Sequence, residues 1–134
     1  MATLDTHRFK LPLDEVPVDT KLLAEDGWNK MDVQWIVTSD TVGATGHVVG
    51  LTVFAPGARH EHHRHPNAEE AQYLIKGSGI ARVGDDDIRQ GPGDTVFVPA
   101  NEVHGFWNNT DEETVMIWTY GGAASLAEAG YEPV

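Results

Sequence analysis

The residues with the most chemistry to offer are histidines. The chain holds seven, and four of them fall within His60-Glu61-His62-His63-Arg64-His65. On a β-strand residues i and i+2 point to the same side, so His63 and His65 present two imidazoles on one face, about 7 Å apart along the strand. Two such nitrogens can reach one cation. Glu70 follows five residues after His65, beyond the turn-like Pro66-Asn67-Ala68. Its parity matches Gln72 and Leu74, so these three share a face of the next strand. A second segment, running from Gly93 to His104, brings one more histidine to the head of another short strand. Three neutral imidazoles and one carboxylate form a mixed nitrogen and oxygen set that suits Mn, Fe, Co, Ni, Cu or Zn. Such a set, with positions left for water or substrate, is the form a catalytic site takes.

Each assignment has a plainer competitor. A lone histidine on a strand is commonly a satisfied polar residue, and the 60–65 cluster could be a surface patch. His60 and His62 precede or oppose the inward parity and are expected at the rim or surface, with His60 the one that could reach a pocket mouth. His7 and His47 read as structural, and Glu69 should face away from Glu70. Gln72 could hydrogen-bond an oxygen held at the site, which gives Gln72 and His104 the expected catalytic roles. Phe106 shares the parity of His104, and Trp118 and Tyr120 lie on a later strand, so all three are candidates for a pocket wall; core packing is the competing role for Trp107, Trp118 and Tyr120. Arg59 and Arg64 are the nearest cations. Arg59 could steer a carboxylate, whereas Arg64 alternates with the ligands and should be solvated.

Positioning these groups is a task for short strands. Gly and Pro punctuate the sequence every eight to twelve residues, and the stretches between are rich in Val, Ile, Thr, Phe, Trp and Tyr, which predicts an all-β sandwich or barrel. The expected strands are 33–38, 47–54, 71–76, 80–83, 87–90, 95–99, 104–108 and 114–120. Turn-forming residues separate them at 55–57, 77–79, 84–86 and 91–93, the hairpin at 84–86 being the clearest. The helical candidates, 20–26 and 125–129, are too short to carry a helical core. A single domain is expected, with an N-terminal arm over 1–30, a barrel over 31–120 and a covering C-terminal tail over 121–134.

At this point the sequence resembles the cupin superfamily. Gly57, five residues, His63, one residue, His65, four residues, Glu70, six residues and Gly77 match the family's first motif at every spacing. The second follows as Gly93, five residues, Pro99, then His104 and, after three more residues, Asn108. Where the family often has glycine two residues after the proline, this chain has Asn101, which tolerates a left-handed turn. The resemblance implies a double-stranded β-helix, the jelly-roll cupin barrel, with one divalent metal per subunit held by His63, His65, Glu70 and His104. It implies a small-molecule substrate and a homodimer. Families that the sequence resembles include oxalate decarboxylases, germins, ring- or diketone-cleaving dioxygenases, small lyases and sugar-phosphate isomerases. The expectation is therefore a mononuclear metal-dependent enzyme acting on a small oxygen-rich organic molecule by dioxygenase-type or decarboxylase chemistry. A redox-inactive lyase or isomerase is the enzymatic rival, and a non-catalytic binding or sensing protein the rival from another class.

Composition sets the outer bounds. At 134 residues the chain suits one domain, and zero cysteines removes thiol nucleophiles, zinc ribbons and iron–sulfur clusters. Nine Lys and Arg against 21 Asp and Glu give a net charge of −12, which repels phosphate backbones and anionic lipid. Neither nucleic acid nor membrane is expected as a partner. With no apolar leader in the first ten residues and no cysteine, the cytoplasm is the expected location.

Overall fold

The computed structural model describes residues 4–134, and among them nine strands and little helix. The strands are β1 (Trp28–Val37), β2 (His47–Arg64), β3 (Glu69–Lys76), β4 (Gly79–Val83), β5 (Asp86–Gln90), β6 (Thr95–Val98), β7 (His104–Trp107), β8 (Thr114–Gly121) and β9 (Glu132–Pro133). They form one antiparallel sheet in the order β5-β4-β7-β2-β8-β3-β6, with β1 and β9 also paired to β2. The sheet curls into a nearly closed jelly-roll barrel, the expected double-stranded β-helix. No helix among the described residues is long and apolar enough to cross a membrane.

Period-two alternation decides what the barrel encloses. Along β8, Thr114, Met116, Trp118 and Tyr120 are buried while the residues between them are only partly so. Along β3 the inward row is Glu70, Gln72 and Leu74, and register places these opposite Tyr120, Trp118 and Met116. Gly50 lies against Trp118 so closely that a Cβ there would sit 2.1 Å from Cζ2 of the indole. The bulk of that core ring thus depends on glycine in the facing strand.

Three sequence expectations are corrected. Residues 55–57 do not end a strand: β2 runs on through them for 18 residues in all, bending at Gly57, whose φ of +78° few other residues adopt. The bend is held because Asn108 donates to Phe54 O and Ala55 O, and Gly57 N donates to Asn108 O. β1 begins at Trp28, five residues before the expected start, because the chain pairs with β2 as far as His60. Residues 20–26 form only a single 3-10 turn at Ala24–Asp26; the helix expected at 125–129 is present as α2 (Leu126–Ala129), capped by the Ser125 hydroxyl, and a further one-turn helix, α1 (Ser39–Val42), was not foreseen. The tight turn at Gly84 and the left-handed Asn101 (φ +66°) are as expected.

Candidate functional site

The second half of β2 carries His63 inward, His65 is the first residue after that strand, β3 supplies Glu70, and the first residue of β7 is His104. All four are buried, the three histidines to 1 % exposure. The three imidazoles offer ligand atoms that lie within 4.8 Å of one another. Glu70 Oε1 stands 3.1 Å from His104 Nε2 and 3.4 Å from His65 Nε2, so a carboxylate oxygen shares the same centre. Gln72 holds it there by donating from Nε2 to Glu70 Oε2 at 2.9 Å.

Backbone carbonyls decide which ring nitrogens are free. His63 Nδ1 meets Glu61 O at 2.6 Å, His65 Nδ1 meets Gly130 O at 2.7 Å and His104 Nδ1 meets Glu102 O at 2.9 Å. A carbonyl only accepts, so each Nδ1 carries hydrogen and each Nε2 is turned to the common centre. Nε2 of His63 and of His65 are buried with no hydrogen-bond partner; the 3.4 Å approach of His65 to Glu70 is too poorly aligned to count. Two orphaned buried acceptors beside a carboxylate fit a cation.

The electrostatics agree with that geometry. Burial alone would raise the Glu70 carboxyl, but the hydrogen bond to His104 and the closeness of the His104 and His65 rings outweigh it and hold the group well below the usual carboxylate range. Burial likewise acts to lower His104, yet its bond to Glu70 prevails and the imidazole is raised. Its two ring nitrogens face Glu102 O and Glu70 Oε1, an arrangement that favours the protonated ring; a cation held there would take its place as the partner of Glu70. His63 is pushed well below its ordinary value by desolvation and by its histidine neighbours, so it stays neutral. Burial, and then the Glu70 charge, keeps the Tyr120 phenol protonated.

Next to this centre is a small interior cavity of about 20 Å³, enough for a water or two. Phe54, Phe106, Met116 and Trp118 form its apolar side, and His60, His63, Glu70, Gln72 and Tyr120 its polar side. Gln72, Phe106, Trp118, Tyr120 and His60 thus line one cavity, and Arg59 does not. It lines a neighbouring open groove that shares His60 and Phe106 with the cavity, its guanidinium packing 4.4 Å above the Trp107 ring, and Trp107 itself is 40 % exposed rather than in the core. His62, Glu69, His7 and His47 are exposed, and Arg64 pairs with Glu132 at 2.8 Å.

His60 is the residue whose surroundings simple parity misjudges. Between His60 and His63, β2 gains one residue relative to β7: His60 faces Phe106 while His63 faces His104. This bulge reverses the alternation and turns His60 to the same side as His63, where the rings stack at 3.8 Å. The His60 imidazole, lowered by burial, has a buried Nε2 without a partner. Two further residues escaped sequence reasoning. Trp28 stacks on Tyr131 at 5.0 Å and lies 4.2 Å from His60, and Tyr131 stacks on His63 at 5.0 Å. An inward aromatic at the edge of the first strand was a weak signal for Trp28; nothing local marks Tyr131.

A family model described as the cupin domain matches residues 50–120. Among similar proteins, polyketide synthase CurC of Streptomyces cyaneus is 28 % identical over 114 residues, 85 % of this chain and 74 % of CurC. Among solved structures, the polyketide cyclase RemF from Streptomyces resistomycificus superposes with a TM-score of 0.75 at 19 % identity, over 93 % of this chain and 84 % of RemF. A protein described as a predicted oxalate decarboxylase from Thermotoga maritima superposes with a TM-score of 0.74 at 15 % identity, over 84 % and 97 % of the two chains. At such identities the structural likeness establishes the fold alone.

Proposed function

Because the chain belongs to the cupin domain family, we propose that it is a mononuclear enzyme dependent on one divalent transition metal per subunit and acting on a small oxygen-rich organic molecule. The observation that carries this reading is the set of three converging Nε2 atoms whose opposite nitrogens are all committed to carbonyls. His63, His65, His104 and Glu70 hold the ion. When bound, a metal in such a set supplies Lewis acidity toward an enol, carboxylate or phenolic oxygen, or redox chemistry if it is iron or manganese.

The remaining work falls to the chain's own groups. Gln72 keeps Glu70 aimed at the centre, and the Tyr120 phenol, kept neutral, is available as a hydrogen-bond donor to a substrate oxygen. Phe106, Trp118 and Met116 exclude water from one side. With room for only a water or two inside, an organic substrate engages from the edge of the cavity, where Trp28, His60 and Tyr131 stack and must give way. The similarity to proteins named as a polyketide synthase and a polyketide cyclase favours an enolisable polycarbonyl substrate and redox-neutral lyase- or isomerase-type chemistry. Dioxygenase-type or decarboxylase chemistry is the second reading, favoured by the carboxylate-containing ligand set and the likeness to a protein described as an oxalate decarboxylase. A homodimer is part of the proposal: Tyr73, Ile75 and Phe97, 45 %, 49 % and 54 % exposed on the outer face of β3 and β6, offer a surface for it to bury, and mass in solution tests it.

Metal content after loading and gel filtration, followed by turnover of β-polycarbonyls, phenols and hydroxy acids with oxygen uptake recorded, tests the reading. We expect one ion per chain, lost in His104→Ala and retained in His62→Ala, and turnover without oxygen uptake. Oxygen consumption moves the case to the dioxygenase. Tight ligand binding with no turnover in any metal form makes the protein a binder, and a protein that loads no ion defeats the proposal.

A further inference from the structure

The three converging imidazoles are oriented in two different ways. His63 and His104 each give Nδ1–H to the carbonyl two residues upstream in their own segment, at Glu61 and Glu102. His65 instead gives it to Gly130 O, 65 positions along the chain. We propose that Gly130 is a positioning residue for the metal site, its carbonyl fixing the tautomer and direction of His65 so that Nε2 faces the shared centre. The inference rests on the metal reading above and assigns the segment after α2 a part in it.

Glycine is required at this position on two grounds. Its φ of +82° with ψ of 151° is a conformation that residues with a Cβ rarely adopt. A Cβ built there would also lie 2.8 Å from Cδ of Pro66, the residue that follows His65. The chain therefore passes as close to the ligand as backbone permits, with its carbonyl toward the imidazole. Contacts on both sides keep that carbonyl in place. Before it, Gly130 N donates to Leu126 O, Asn67 N donates to Ala129 O at 2.9 Å and Asn67 Nδ2 donates to Glu128 O at 3.1 Å, which ties α2 to the turn that leaves His65. After it, the Tyr131 hydroxyl donates to Asp26 O at 2.6 Å, and β9 pairs Pro133 with His63. An oriented partner of this kind on a ligating histidine typically changes metal affinity about 10- to 100-fold when lost.

The test compares wild type, Gly130→Ala and Asn67→Ala in the full chain, by zinc competition against a chromophoric chelator and by ¹H–¹⁵N correlation of the histidine rings in metal-free protein. For Gly130→Ala the expected result is a zinc dissociation constant raised about 10- to 100-fold. The Nδ1–H signature should be lost at His65 and retained at His63. For Asn67→Ala, which removes one clamp without strain, the expected result is faster solvent exchange of the His65 Nδ1 proton with little change in thermal midpoint. An unchanged His65 signature and unchanged zinc affinity in Gly130→Ala overturn the proposal. Should that variant fail to fold, an unchanged His65 exchange rate in Asn67→Ala overturns it. Wild type that binds no zinc, yet shows these ring responses, defeats the metal reading and leaves the orientation of His65 by Gly130 standing.

Discussion

Replacing Asn108 should cost more stability than any change of a single surface residue, and the reason is countable. Asn108 is fully buried and is the first residue after β7. Its Nδ2 shares two hydrogens among Phe54 O at 3.1 Å, Ala55 O at 3.1 Å and Glu112 O at 2.7 Å, while its Oδ1 accepts from Thr110 N and Thr110 Oγ1 at 3.1 and 2.7 Å. The side chain thus closes the 108–112 turn and holds the bend of β2 that leads to His60, His63 and His65. Asn108→Ala strips partners from groups that are buried or partly buried, at about 1–3 kcal/mol for each one left unsatisfied. Water will reach the more open Thr110 end, so two to three such losses at about 1.5 kcal/mol each, about 3–5 kcal/mol in all, is the expected sum. For a domain of this size that is a fall of roughly 10–20 °C in Tm. Asn108→Asp refines the argument. It keeps the shape and the two accepted bonds but cannot donate to three carbonyls, and it should be at least as damaging as alanine. Thermal and urea unfolding by circular dichroism measure both. A loss below about 1 kcal/mol in Asn108→Ala, or near-native stability in Asn108→Asp, would refute the account of the bend.

Three other outcomes are expected. Gly50→Ala places a methyl group against the Trp118 ring, so the indole must move and surrender its hydrogen bond to Thr52 Oγ1; a loss of about 1–3 kcal/mol and an altered near-ultraviolet spectrum are expected, and a native spectrum would be inconsistent with the packing described. The metal-free protein should be most stable near pH 6.5. Below that value the unfolded chain takes up protons that His60 and His63 refuse, at up to about 1.4 kcal/mol per pH unit for each; above it, folded His104 keeps a proton that the unfolded chain has released, so stability falls until its raised pKa is passed. His60→Ala should flatten the acid limb, and an unchanged limb would remove His60 from the explanation. Chelation should lower Tm and leave the β signal intact, because the apolar core stands without the ion; at a hundredfold excess of metal over Kd the stabilisation removed is about 2.7 kcal/mol, and coincident loss of all β signal on chelation would contradict this.

Much of this protein was legible from local pattern. Spacing along the chain identified the inward row Glu70, Gln72 and Leu74, the inward His63, His65 and His104, and most strand limits, because side-chain parity and turn chemistry act over a few residues. The exceptions share a cause. His60 turns inward only because β2 carries a bulge against β7, and a bulge is a property of the pair of strands, invisible in either alone. Residues 55–57 read as a turn until Asn108, more than fifty positions away, holds them as a bend. Core packing competes for Trp107, and nearness to the first motif makes Arg59 a pocket candidate, yet both side chains are exposed and stack on each other. Gly130 and Tyr131 close over the histidines through a backbone carbonyl and a ring brought back from the far end of the fold. A carbonyl belongs to every residue alike, so no sequence pattern can mark the one that matters. Residue order alone sets which atoms can bind an ion; how those atoms are aimed, and how little space they share, follows from contacts between segments far apart along the chain.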